Sequence, residues 1–261
     1  MAVKESADKT IARAKQAEVT AMAVTDMAQL RAIQPQSAGG QAQAQQIADE
    51  KRELNEDAID LSAKVLEDKL ALAGVPHRTL RCEGDPIESL VDASRYHDLL
   101  ITGLSGLLDH DVAAEPKDAL IRLVAAGVHP ILAVCASPEP VYRVMIAYSG
   151  SPESARTMRQ FASYNLWPDA HVKVVHFGTS ADKAHLLLAE ARAYLERFGF
   201  RIETELVDGS PVRNLQAVAH DWGANVLVLG NSAKSMLRRR VMGDTAIASL
   251  RDGKLPVFLS Q

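Results

Sequence analysis

The chain repeats itself, and that repeat limits it to two copies of one folding unit. Glu83-Gly84-Asp85-Pro86-Ile87-Glu88-Ser89-Leu90 runs on to Leu99-Leu100-Ile101-Thr102-Gly103. Asp208-Gly209-Ser210-Pro211-Val212-Arg213-Asn214-Leu215 leads in the same way to Val226-Leu227-Val228-Leu229-Gly230. The two Gly-x-Pro turns lie 125 positions apart (209 − 84), and the strand-ending glycines 127 apart (230 − 103). The second copy has therefore gained two residues in the intervening helix. Pro130-Ile131-Leu132-Ala133-Val134 recurs later as Pro256-Val257-Phe258-Leu259. One match could be chance, but three in the same order indicate duplication.

Each copy alternates short apolar runs with helical patterns. In the second copy, Arg143 to Tyr148 reads as a strand, and a helix follows from Pro152, a residue suited to the first helical turn. Next come a strand near Val172 to Phe177 and a helix near Ala181 to Phe198, which Gly199 ends. A strand near Ile202 to Val207 precedes a helix from Pro211, a strand Val226 to Leu229, a helix near Thr245 to Arg251 and a strand Val257 to Leu259. Strands alternating with helices predict an α/β fold, a parallel sheet with helices on both faces. The unbroken apolar run Val226 to Leu229 agrees, since such strands are covered on both sides. The first copy predicts a helix over Lys4 to Lys15, a strand Val19 to Val24, a flexible Gln-, Ala- and Gly-rich loop from Pro35 to Gln46, and a helix near Leu54 to Leu72. Ser137-Pro138-Glu139-Pro140 marks the joint, because its prolines continue neither helix nor sheet.

The first copy lacks an element. Glu5-Ser6-Ala7 parallels Glu153-Ser154-Ala155 at the start of the first helix, but no strand comes before it. In a doubly wound sheet that strand is central, so its loss should leave a gap. Either the recorded start lies late or another segment fills the slot. The expectation is two Rossmann-like domains, 1–138 and 139–261, with two parallel sheets of strand order 3-2-1-4-5 packed as a pseudo-symmetric pair, the first one strand short.

Composition removes several classes of function. A net charge of -4 argues against a general nucleic-acid binder, which needs a concentrated basic surface. No apolar run approaches the roughly 20 residues of a membrane helix, and Met1 to Ser6 has no apolar signal core, so the expected home is the cytoplasm. Cys82 and Cys135 are too far apart for metal-type spacing and read as buried small hydrophobes. His97, His110, Asp109 and Asp111 read as polar loop rather than a metal site, and adjacent His220 and Asp221 face different directions on a helix. Nothing assembles a nucleophile with its base and an orienting group.

In an open α/β sheet a ligand sits beyond the carboxyl ends of the strands where strand order reverses, here between the first and fourth strands. The relevant loops are Ser149-Gly150-Ser151 and Gly230-Asn231-Ser232-Ala233. Glycine at a strand end lets backbone approach a ligand, and a following helix N-terminus suits phosphate. With these residues, about Tyr142 to Gln261 resembles a universal stress protein domain. That family often carries Gly-x-x-Gly, nine residues, then Gly-Ser or Gly-Thr, as an ATP motif. Here Gly230 opens it, Ala233 replaces the second glycine, Gly243 stands where the pattern requires, and Asp244 moves the hydroxyl on to Thr245. The family's aspartate after the first strand becomes Ser149.

The resemblance implies an adenine nucleotide alpha hydrolase-like fold and an ATP site, with Mg²⁺, made by Ser149, Gly230, Asn231, Ala233, Gly243, Asp244 and Thr245. Ala233 adds a methyl group where backbone meets phosphate, and Asp244 adds repulsion that Mg²⁺ would have to bridge. Lys234, Arg238, Arg239 and Arg240 would offset it, or form a solvated helix face. The run Gly230 to Ser235 is a weak echo of a P-loop with the glycine before its lysine replaced. The first copy keeps Gly103-Leu104-Ser105-Gly106 but no later glycine, so it is not expected to hold ATP. The implied role is a cytoplasmic stress response exerted by binding. Its partners would be adenine nucleotide or another protein, as a monomer with paired domains or a homodimer. One rival is a structural or interaction module that has lost nucleotide. The other is a slow ATPase or nucleotidyl transferase.

Overall fold

The computed structural model describes residues 11–26, 41–103, 122–123, 126–128, 130–135, 139–230 and 255–260, without side chains for 41–56. In the second copy, strand β5 (Arg143–Ala147) leads to helix α3 (Pro152–Tyr164), β6 (His171–Phe177), α4 (Ala181–Glu196), β7 (Arg201–Val207), α5 (Pro211–Trp222), β8 (Val226–Gly230) and β9 (Val257–Ser260). Strands pair in the order β9-β8-β5-β6-β7, every neighbour parallel. This is the expected 3-2-1-4-5 order, with the switch between β5 and β8. The first copy carries β1 (Val19–Asp26), α1 (Gln41–Leu72), β2 (His77–Gly84), α2 (Pro86–Ser94), β3 (Leu100–Gly103) and β4 (Ile131–Val134). The repeat is visible locally: Pro86 and Pro211 each open a helix, where a missing N–H costs nothing.

Among the described residues the first copy shows no counterpart of β5, and its strands fall into two sheets. β1 and β2 form a parallel pair of their own, and β3 pairs with β4 elsewhere. One expectation needs correction. The sheets of the two copies are not separate, because β4 and β9 pair antiparallel, with Leu132 opposite Phe258. Seven strands thus form one sheet, β3-β4-β9-β8-β5-β6-β7. The physical reason lies in Ile131–Val134 and Val257–Ser260. Each is a short strand buried along its whole length, and each would otherwise present an open edge of backbone donors and acceptors.

The core follows the joined sheet. On one face Phe161 of α3 stacks on Phe200 at 5.5 Å and meets Phe258 edge-on at 6.1 Å, while Leu132 and Val134 of the first copy join the same cluster. On the other face Leu215 and Ala219 of α5 share a cluster with Ile87 of α2. Truncating a fully buried ring such as Phe161 costs about 3–5 kcal/mol, because the cavity adds to the lost burial.

Three smaller readings also change. Residues 41–46 are helical rather than loop, since α1 begins at Gln41. Alanine and glutamine are good helix formers, which outweighs the low complexity of the run. Cys135 is buried as expected, but Cys82 is only half-buried. His220 Nδ1 and Asp221 Oδ1 lie 3.5 Å apart, both on the surface. The helices predicted over Lys4 to Lys15 and Thr245 to Arg251 fall wholly or largely outside the described residues, where only 11–15 are seen to be helical. Among the described residues no helix is long and apolar enough to cross a membrane.

Candidate functional site

The carboxyl ends of β5 and β8 lie side by side, because Ala147 of β5 pairs with Leu229 of β8. β5 runs out through Tyr148, whose amide donates to Val175 O at 2.9 Å, and the chain then turns at Gly150. Gly150 has φ of +76°, a conformation open to glycine. Ser151 caps α3, its Oγ accepting from Ser154 N at 3.2 Å, and Pro152 occupies the first turn.

Three serines form a closed hydroxyl network. Ser149 Oγ donates to Ser154 Oγ at 3.1 Å and accepts from Ser151 N at 3.3 Å. Ser154 Oγ in turn donates to Ser151 O at 3.0 Å. Below it, Thr157 Oγ1 donates to Ser260 O at 3.1 Å, tying α3 to the end of β9. Gly230 is pressed against the same turn. A Cβ there would lie 2.8 Å from Ser154 Cα and 3.1 Å from its amide nitrogen. Glycine at this strand end is thus already required by helix packing, whatever ligand approaches.

Ser149 and Gly230 are brought to one place, as the sequence suggested. Asn231, Ala233, Gly243, Asp244 and Thr245 lie outside the described residues, as do Lys234 and Arg238 to Arg240. In the first copy Gly103 ends β3 as Gly230 ends β8, while Ser105, Gly106, Asp109, His110 and Asp111 are not described.

Two residues at this end escaped sequence reading. Ser154 is buried and central to the network. Its signal was the Ser-x-x-Ser spacing around a capping serine. His176, next to last in β6, donates from Nδ1 to Tyr148 O at 2.8 Å. Its position at a strand end beside the switch point was legible. Burial pushes the Tyr148 phenol above its ordinary range, and Glu190 adds to the rise while Arg159 opposes it. Among the described residues this end is made of neutral hydroxyls and backbone, with Ser149 following β5. No described hydroxyl of this site is hydrogen-bonded to a histidine, and among the described residues no group of acids, histidines or cysteines could hold a metal. The α3 N-terminus is partly spent on its own chain, since Ser154 N and Ala155 N are bonded to Ser151.

An open cleft of about 350 Å³ lies elsewhere, between α1 and the β1–β2 pair, lined by Ile59, Asp60, Arg81, Cys82 and Glu83 among others. Its principal charges are already matched, as Arg81 donates to Asp60. We place the candidate site at the switch point, where strand ends, a helix start and a glycine converge.

Residues 141–260 match the Universal stress protein family. A universal stress protein of the cyanobacterium Synechocystis is 25% identical over 211 residues, covering 80% of this chain and 74% of that protein. A universal stress protein from Archaeoglobus fulgidus superposes with a TM-score of 0.67 at 16% identity, over 98% of this chain and 91% of its own. One from Arabidopsis thaliana with AMP bound matches 45% of this chain and 90% of its own, at 16% identity and a TM-score of 0.37. The Archaeoglobus likeness speaks to the fold, and it extends over both copies.

Proposed function

We propose, for a chain whose residues 141–260 match the universal stress protein family, that the second copy binds an adenine nucleotide and the protein acts by binding rather than catalysis. The carrying observation is the convergence of Ser149, the α3 N-terminus and Gly230 at the switch between β5 and β8. Ser149 Oγ can donate or accept toward ribose or adenine. Residues Asn231, Ala233, Gly243, Asp244 and Thr245 of the partial motif would face the phosphates. Bound Mg²⁺ would supply charge neutralisation beside Asp244. The proposal keeps the division into 1–138 and 139–261, and a cytoplasmic stress-response role.

A specific observation favours the rival interaction module. The serine network satisfies itself, and Ser149 brings no negative charge to hold a ribose. Calorimetric titration with Mg-ATP separates the two. On the nucleotide reading the full chain binds and Ala233→Gly tightens binding, by about 1 kcal/mol, the scale of a glycine-to-alanine backbone effect. An unchanged affinity in Ala233→Gly leaves the motif as ancestry without nucleotide function.

A further inference from the structure

Helix α3 has one end at the candidate site and the other on the first copy. Ser151 and Ser154 stand at the switch point, with the Ser154 backbone pressed on Gly230. At the last turn Tyr164 OH donates to Asp98 O of the first copy at 2.7 Å. Between these ends Phe161 meets Phe258 of β9 edge-on, and Phe258 stands opposite Leu132 of β4. The strands follow the same course. Gly230 of β8 pairs with Ser260 of β9, and the preceding residue, Leu259, pairs across to Ile131. The end of β8 is therefore joined to the first copy through β9.

One residue on this route has two arrangements open to it. Thr157 is only 1% exposed, which leaves bulk water no access to its hydroxyl. That hydroxyl has one proton and two acceptors at nearly equal distance. Glu153 O, in the first turn of its own helix, lies at 3.0 Å, and Ser260 O, at the end of β9, at 3.1 Å. A proton given to Glu153 O stays within α3. A proton given to Ser260 O bonds α3 to the strand that holds the first copy, just past the β4–β9 pair at Leu259. A choice between discrete bonds lets a contact at one place bias another.

A ligand that spans the Ser149 turn and the end of β8 would hold the start of α3 against the sheet. That contact favours the bond to Ser260 O over the one inside the helix. We infer that Thr157 is a positioning residue that passes nucleotide occupancy to the first copy, by committing its proton to Ser260 O and firming the β4–β9 pairing. The inference rests on the nucleotide reading of the second copy and adds the output of that site, the seam between the copies.

The test is hydrogen exchange of the full chain with and without Mg-ATP, with binding followed by calorimetry. A ligand slows exchange wherever amides open by global unfolding, so β4 is read against β7, at the far end of the same strand order. In wild type β4 should slow about fivefold or more beyond β7, the lower end of ordinary coupling between sites. Thr157→Ser keeps the hydroxyl and should keep that excess. Thr157→Val loses the proton and should lower the excess below about twofold, while protection of β5 beside the ligand persists. Thr157→Ala, which cannot overpack, replaces the valine variant if that one does not fold. Bound nucleotide without the excess at β4 in wild type, or the full excess without the hydroxyl, would overturn the inference and leave the nucleotide reading standing. No heat of binding in wild type would overturn both.

Discussion

At Gly230 a Cβ would lie 2.8 Å from the Ser154 Cα, and backbone on both sides leaves little to yield. Gly230→Ala should therefore destabilise the protein by about 1–3 kcal/mol, the range for overpacking, as read from urea unfolding. An unchanged midpoint would mean that the strand end can move away from α3. Ser149 is the neighbouring test of chemistry. Ser149→Asp restores a charged acceptor, and on the nucleotide reading it tightens Mg-ATP binding about tenfold. No gain in calorimetric affinity would mean that the pocket no longer faces a nucleotide. The sequence made Ser149 and Gly230 visible because both sit at strand ends in a numbered motif. Ser154 stayed hidden, since a helical serine is usually solvated and only the approach of β8 buries it.

At the scale of elements, β6 and β7 carry an ionic cluster against α5. Lys173 is buried, with Nζ 2.6 Å from Glu203 Oε1 and 2.7 Å from Glu205 Oε2, while Trp222 Nε1 donates to Glu203 at 3.1 Å. Burial alone would raise the Glu203 carboxyl, but Lys173 and Trp222 outweigh it and hold it below its ordinary range. Burial would likewise lower Lys173, and the two carboxylates leave it raised instead. For Glu203 the stabilisation is complete above the unfolded value near 4.5 and is lost as pH falls through the depressed folded value. For Lys173 it is complete below the unfolded value near 10.5 and is lost as pH rises through the raised one. Lys173→Met should cost about 1 kcal/mol at neutral pH, discounted because the carboxylates are half exposed, and should flatten the acid limb of stability. An acid limb identical to wild type would show that Glu203 draws its shift from elsewhere. This cluster was not legible in sequence, where Lys173 merely interrupts an apolar strand and its partners lie on another. The strands and the Pro-started helices were legible because period and punctuation are local. The start of α1 at Gln41 was not, because helix propensity and low complexity point in opposite directions there.

For the whole molecule, the decisive contact is β4 on β9. The repeat announced two equivalent units, but nothing local in Ile131–Val134 or Val257–Ser260 shows that one edge strand takes the other as partner. The pairing should couple the unfolding of the two copies. Ala133→Pro removes an amide from β4, where Ala133 stands opposite Val257, at a cost of about 3 kcal/mol. Both tryptophans, Trp167 and Trp222, belong to the second copy, so a fluorescence transition that shifts with this first-copy substitution shows the coupling. A fluorescence midpoint unmoved while circular dichroism shifts would show independent copies. The break between β1 and β3 among the described residues, in contrast, was legible from the repeat. On the proposed reading nucleotide goes to the second copy, the one whose sequence has the β5 strand, Gly230 and Gly243 together. The direct measurement is calorimetric titration of Mg-ATP into the full chain and into Gly243→Val. The account predicts one site per chain in wild type and no heat of binding in the variant, because a branched side chain stands where phosphate meets backbone. Equal affinity in the two, or no binding by wild type at millimolar nucleotide, on the order of the weakest useful affinity, would contradict it.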